Sequence, residues 1–389
     1  MSDLDNLLAS REMVLVAGSG GVGKTTIAAA MGIAAAQRQK GKILVLTVDP
    51  ARRLATALGL DEVGNTPVRI KPAVFKRAGV KVRGQLWVAM LDTKAGWDEL
   101  IRRHAPDAEV RDAVLANPLY QNITSRFVHS HDYLAMEQLH DLHATGEFDL
   151  VIVDTPPSRN ALSILDAPGR MVDFFGSRLL RWLTVPYRSR LFTVASKPFY
   201  QVADRVLGSR FLQDIADFFV LFQAMEKGFV ARARSVEALL TDARSTFVVV
   251  TTLETAPSHE ARYLAQELVQ RKMSLGAIVA NRVLPSALAT AAAAESADAL
   301  RDRSGRKLAK AVSAELDDAT VGTVDSVLDQ LADRFDDVAL VAARETERRA
   351  ELASLTPAML DVPWLTGDIH DIAGLGGLAD HLRVDSTLR

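Results

Sequence analysis

The sequence of 389 residues contains no cysteine, which excludes disulfides, thiolate zinc sites and thiol catalysis. It also lacks a charge excess: the formal net charge is −2, so there is no footprint for nucleic acid. No apolar run approaches the roughly 18 residues that a membrane span needs. The start, Met1-Ser2-Asp3-Leu4-Asp5, is acidic and has no signal-peptide core. Internal repeats and low-complexity linkers are absent as well. Hydrophobic residues at 48% and charged residues at 24% are the proportions of a soluble globular protein, most simply a cytoplasmic one.

The stretch that is most informative runs from Gly18 to Thr25. It follows the apolar run Val14-Leu15-Val16-Ala17 and leads into a helical pattern beginning Thr26-Ile27-Ala28. Strand, glycine turn and helix N-terminus are the context of a phosphate-binding loop, and G-x-x-x-x-G-K-[ST] is filled at every position. Glycines at 18, 20, 21 and 23 let backbone N–H groups close on an anion. Lys24 is expected to reach the β/γ-phosphates of ATP, and the Thr25 hydroxyl to ligate Mg²⁺.

Two more apolar runs end in aspartate. Ile43–Val48 leads to Asp49-Pro50, and Leu150–Val153 leads to Asp154. These strand ends form the edge at which α/β sheets bind ligands. Asp154 fits a carboxylate that holds Mg²⁺ through water, and Asp49 fits one that orients an attacking water. Further strand patterns at Leu86–Leu91, Thr246–Thr251, Gly276–Asn281 and Met359–Pro363 alternate with helical ones. The expectation is an α/β, doubly wound, mostly parallel sheet of seven to eight strands.

Helical insertions are expected at about 93–145, 165–240 and 285–357 within one domain spanning 1–389. Between Asp61 and Gln85 six basic residues read as a solvated hairpin or loop. His129, His131, His140 and His143 read as surface histidines. Twelve aromatic residues fall between Met171 and Phe229, which suits either ordinary core or an exposed apolar groove. A stripe of Val324, Val327, Leu328, Leu331, Phe335, Val338 and Val341 lies on an acidic helix.

Gly20-Gly21-Val22-Gly23-Lys24-Thr25-Thr26, then Asp49-Pro50-Ala51 with Leu54, Asp154-Thr155-x-Pro157 and Asn281 resemble the arsenite-pump (ArsA) and tail-anchored-protein-targeting ATPases. The resemblance spans nearly the whole chain. It implies a P-loop ATPase that dimerises with ATP and Mg²⁺ at the interface. Asp49 would then lie in the first switch and Asp154 in the second. Asn281 would recognise adenine, with the segment from Pro363 to Leu375 near the base. The aromatic region would receive hydrophobic client helices or membrane-associated partners. Ser19 stands where that family carries the lysine that crosses to the partner's phosphates, and no Cys-x-x-Cys zinc clamp exists. The resemblance therefore implies a heterodimer with a related, lysine-bearing subunit, with a homodimer as the alternative. A hydrolytically weak ATP-holding subunit and a partitioning-type ATPase are the other readings, and the short polar C-terminus speaks against the latter.

Overall fold

A computed structural model describes residues 2–47, 58, 64–90, 93–123, 130–155, 163–176, 209–316, 319–365 and 367–383. Among the described residues eight strands form one sheet: β1 Met13–Ala17, β2 Lys42–Thr47, β3 Val68–Arg69, β4 Gln85–Met90, β5 Leu150–Asp154, β6 Ser245–Thr251, β7 Leu275–Val283 and β8 Met359–Pro363. Their order is β3-β4-β2-β5-β1-β6-β7-β8, and every pairing is parallel except β3 with β4. The expected doubly wound α/β sheet is therefore the one observed. β1 lies centrally between β5 and β6, which places the switch in strand order at the loop that follows β1.

The strands are apolar on both faces because helices cover both. Val14, Val16, Ile43 and Val45 pack under α1 (Asp3–Ala9) and α2 (Lys24–Arg38). α2 is alanine-rich, so it is a strong helix former and lies close to the sheet. At Gly32 in α2 a Cβ would come within 2.5 Å of the Val45 side chain, so only glycine permits that approach. The alternate residues Met13, Leu15, Leu44 and Leu46 face a second layer of helices.

Where a solvated hairpin or loop was expected before Gln85, the structure has β3 and α3 (Pro72–Arg77). Pro72 sits in the first turn, where its missing N–H costs nothing. The charges there are exposed, including Arg69, Lys71, Lys76 and Arg77.

The helical pattern before β5 divides into α4 (Thr93–His104), α5 (Ala108–Ala116), α6 (Pro118–Ile123) and α7 (Ser130–Ala144). After β5 come α8 (Ser163–Gly176), α9 (Ser209–Ala224) and α10 (Glu226–Thr241). Together these helices hold a third apolar cluster built on aromatic rings. Phe222 stacks among Phe175, Phe218 and Phe229 at centroid distances of 5.3–5.4 Å. Those four rings are buried core, whereas Phe174 and Phe219 are only half-buried. Trp182 and the other aromatics from 177 to 208 lie outside the described residues, and nothing is described of the Phe211 side chain.

Beneath this cluster the Glu137 carboxylate, 2% exposed, accepts from Arg232 Nε at 2.8 Å and from the Tyr133 hydroxyl. Arg232 also pairs with Asp141, and its Nη1 lies 2.6 Å from His140 Nδ1, which accepts as the neutral tautomer. Burial and the Arg232 charge lower the His140 pKa. His143 Nε2 lies 3.0 Å from Glu12. His140 and His143 are thus partnered and partly buried, not surface residues: the helix turns one face to β1 and α10. His129 and the His131 side chain lie outside the description.

From β7 the chain leaves the sheet through a short 3₁₀ turn (Ser286–Ala289) into α12 (Ala291–Arg301), α13 (Arg303–Glu315) and α14 (Val321–Ala353); α11 is Thr255–Gln270 and α15 is Ile372–His381. α14 has 33 residues and so runs about 50 Å. Thr320 caps it by accepting from the Thr323 N–H. Only part of its apolar stripe is covered: Val324 is buried, but Val327, Leu331, Val338 and Val341 are exposed.

Candidate functional site

The loop after β1 has positive φ at Gly18 (149°), Gly21 (81°) and Gly23 (97°), the region that favours glycine. A Cβ on Gly18 would collide with the Val250 carbonyl oxygen of β6. On Gly21 it would meet nothing within 4 Å among the described residues. Gly23 is the N-cap of α2 and no side chain caps that helix. Its first-turn N–H groups are left for an anion.

Lys24 is buried, and its Nζ donates to the Ser19 carbonyl at 2.8 Å. An ammonium at such depth needs an acceptor, and the loop's own backbone provides one. The Ser19 hydroxyl is buried too and, among the described residues, has no hydrogen-bond partner.

Sheet register brings the next three residues together. β5 runs between β1 and β2, with Asp154 level with both Val16 and Thr47. Asp154 is fully buried, and its Oδ2 accepts from Thr25 Oγ1 at 2.6 Å and from Thr47 Oγ1 at 2.8 Å. Thr25 and Thr26 belong to the first turn of α2 and are half-buried. Two hydroxyls on one carboxylate oxygen fix the direction in which the carboxylate points. Thr47 was not singled out by sequence reasoning; its signal was a lone hydroxyl in the apolar run before Asp49.

Asn281 reaches the same loop from β7. Its Nδ2 donates to the Val22 carbonyl at 2.8 Å, and a Cβ on Gly23 would lie 2.5 Å from that nitrogen. The β7–β8 register shifts between Ala280 and Val283, and Arg282 within that shift has φ 61°. Such an irregularity re-aims a side chain at a strand end. Pro363 closes β8 level with Val283, and the Trp364 N–H donates to the Val283 carbonyl at 3.0 Å. The Trp364 ring is exposed.

The structure therefore gathers Gly20, Gly21, Val22, Gly23, Lys24, Thr25, Thr26, Asp154 and Asn281 around one loop, with Pro363 at the neighbouring strand end. Asp49, Pro50, Ala51 and Leu54, and the stretch from Pro156 to Asn160, lie outside the described residues. The glycine cradle, the uncapped helix start and the buried lysine suit the phosphates of a nucleotide. A Thr25 hydroxyl beside a carboxylate is a donor set that suits a hard divalent cation such as Mg²⁺. Among the described residues no group of three or more His, Asp or Glu could hold a metal on its own. None of the described helices is long and apolar enough to cross a membrane.

The family model described as "Anion-transporting ATPase" matches residues 11–332 of this chain. Among curated proteins the chain is similar to "ATPase GET3" of Malassezia globosa, 26% identical over 72% of this chain and 76% of that protein. It is 23% identical to an "ATPase ASNA1 homolog" of Entamoeba dispar, over 73% of this chain and 80% of the relative. It is likewise 23% identical to "Putative arsenical pump-driving ATPase 1" of Aquifex aeolicus, over 70% of this chain and 63% of that one.

Proposed function

The chain belongs to the anion-transporting ATPase family, and from that premise we propose that it is an ATP-hydrolysing, dimeric switch acting on hydrophobic protein segments or membrane-associated partners. The observation that carries the reading is the meeting of Thr25 and Thr47 on buried Asp154, directly beside the loop in which Lys24 is held. On this reading Lys24 leaves the Ser19 carbonyl for the β/γ-phosphates, and the α2 N–H groups bind the phosphate oxygens. Thr25 would ligate Mg²⁺ and Asp154 would hold it through water. Bound there, the ion would supply positive charge against the transferring phosphoryl group. Asp49 orients the attacking water. Asn281 recognises adenine beside the Pro363 segment. The half-buried Phe174 and Phe219 support an apolar client face on the helical unit.

Ser19 shapes the assembly. A cation supplied by a second subunit is worth about 10³–10⁵ in rate in comparable NTPases, roughly 4–7 kcal/mol of barrier. A serine hydroxyl carries no charge and cannot replace that term. The working unit is therefore a heterodimer with a related, lysine-bearing ATPase, and the site on this chain is the better supplied of the two. The alternative is a homodimer in which Arg52, Arg53 or Arg159 provides the charge.

Two measurements test this. Calorimetry should show ATP–Mg²⁺ binding to the chain and none to Lys24→Ala; undiminished affinity in that variant sinks the site assignment. The purified chain alone should turn over far more slowly than one ATP per second. Faster turnover that is lost on mutating one of those arginines rejects the heterodimer in favour of the homodimer.

A further inference from the structure

The exposed apolar side chains of this protein are not scattered. Of the large ones exposed among the described residues, most lie on α13, α14 and their junction. Four of them, Val327 (56% exposed), Leu331 (57%), Val338 (40%) and Val341 (46%), follow one another on α14 at steps of four, seven and three. That is the heptad spacing of a helix seam, with Arg334 in the one remaining seam position. The seam lies beside the covered face, where Val324, Ala332 and Ala342 are buried and α12 and α13 pack. Half of a broad apolar face is thus used within the subunit, and half is not.

We propose that this seam pairs with the same seam of a second copy of the chain, the two α14 helices running antiparallel about a two-fold axis near residue 336. The charges around the stripe select that occupant. At 100° per residue, Asp325, Asp329, Asp333 and Asp336 project from the other side of the helix. Arg301 of α12 holds Asp333 and Asp336 there, at 2.9 and 2.5 Å. Of α14's own charged residues, Arg334 and Asp337 stand nearest the seam's centre, 84% and 73% exposed and 3.6 Å apart. Antiparallel pairing about residue 336 sets Leu331 opposite Val341 of the second copy and Arg334 opposite its Val338. Asp337 of each copy then flanks Arg334 of the other, so the single ion pair becomes an alternating ring of four charges. Parallel pairing would set Arg334 on Arg334, which repels. An acidic partner helix would meet Asp337, and a basic one Arg334; a second copy turned end for end satisfies both. Isologous contacts of this kind are the common way identical chains associate.

In this register Val327 faces Glu345 of the second copy, so the two seams overlap from Leu331 to Val341, about 15 Å. An interface of that length is below the roughly 1,000 Å² of a stable complex, so the contact is weak and fills at about 100 µM chain rather than at nanomolar concentration. The pairing does not depend on the ATP reading.

Because the chain has no cysteine, single spin labels can be placed cleanly. Labels at Gln330→Cys and, separately, at Ser326→Cys should couple between copies, with axial separations of about 18 and about 30 Å respectively. The same pair of distances should appear without nucleotide and in Lys24→Ala. Leu331→Glu/Val338→Glu should abolish the coupling without moving the melting temperature, since both side chains are solvent-exposed. Four results would overturn the proposal. They are no coupling at about 100 µM, equal distances at the two positions (a parallel pair), coupling only when ATP is present, and coupling that survives the double substitution.

Discussion

Arg232→Met is the substitution that most directly probes how the helical unit is held together. It keeps the length of the stem but removes the cation from a site where the Glu137 carboxylate is almost wholly buried. Burial already raises the Glu137 pKa, against the Tyr133 hydrogen bond and the Arg232 charge, which lower it. Removing the cation leaves a buried charge with one neutral donor, a change that costs about 3–5 kcal/mol. The local opening of α7 and α10 should become easier by that amount. Amide exchange protection there should fall by roughly two to three and a half orders of magnitude, at about 1.4 kcal/mol per decade. The cost must also depend on pH. In the variant the folded pKa of Glu137 lies further above its unfolded value, so the folded state holds a proton that the unfolded state gives up. The loss of protection is therefore smallest at low pH and grows as pH rises through the already raised wild-type folded value towards that of the variant, by at most about 1.4 kcal/mol per unit. Glu137→Gln/Arg232→Met removes both charges and should restore most of the protection. Exchange measured at pH 6 and pH 8 decides the matter. A loss under about 1 kcal/mol that does not change with pH would refute the reasoning.

Thr47→Val keeps shape but removes one of two hydroxyl donors to Asp154, so Mg²⁺-dependent ATP binding should weaken by about 1–3 kcal/mol. Thr47→Ser should restore it, and ATP binding without Mg²⁺ should not change; calorimetry with and without the ion reads both. The His104 pKa is lowered to about 4, first by burial and then by Arg232 and Arg103. A histidine kept neutral in the fold stabilises above its unfolded value of about 6.5 and loses that contribution as pH falls towards about 4. An NMR titration of its ring should show no protonation above about pH 5, and a midpoint above 6 would contradict the burial.

The sheet was legible in the sequence because central parallel strands are buried on both faces and read as unbroken apolar runs, as Val14–Ala17 and Leu150–Val153 do. The two-residue strand Val68–Arg69 was not, since both its residues are exposed and its pairing with β4 is set by the chain's return and not by pattern. His140 and His143 misled for a related reason: a helical histidine shows its face but not whether Arg232 and Glu12 arrive from other elements to meet it. The stripe on α14 shows the same limit from the other side. Periodicity marked Val327, Leu331, Val338 and Val341 as a face, and only the placement of α12 and α13 shows that this half is uncovered. At the candidate site, spacing put Lys24, Thr25, Asp154 and Asn281 at strand ends and a helix start. It could not show that Thr47 shares Asp154 with Thr25, because that follows from β2 and β5 standing level at those two residues. Nor could it show Asn281 turned onto Val22, because that depends on the register shift at Arg282. One amide thus braces the phosphate loop from the strand beside Pro363, and a change at either end of that contact must be felt at the other.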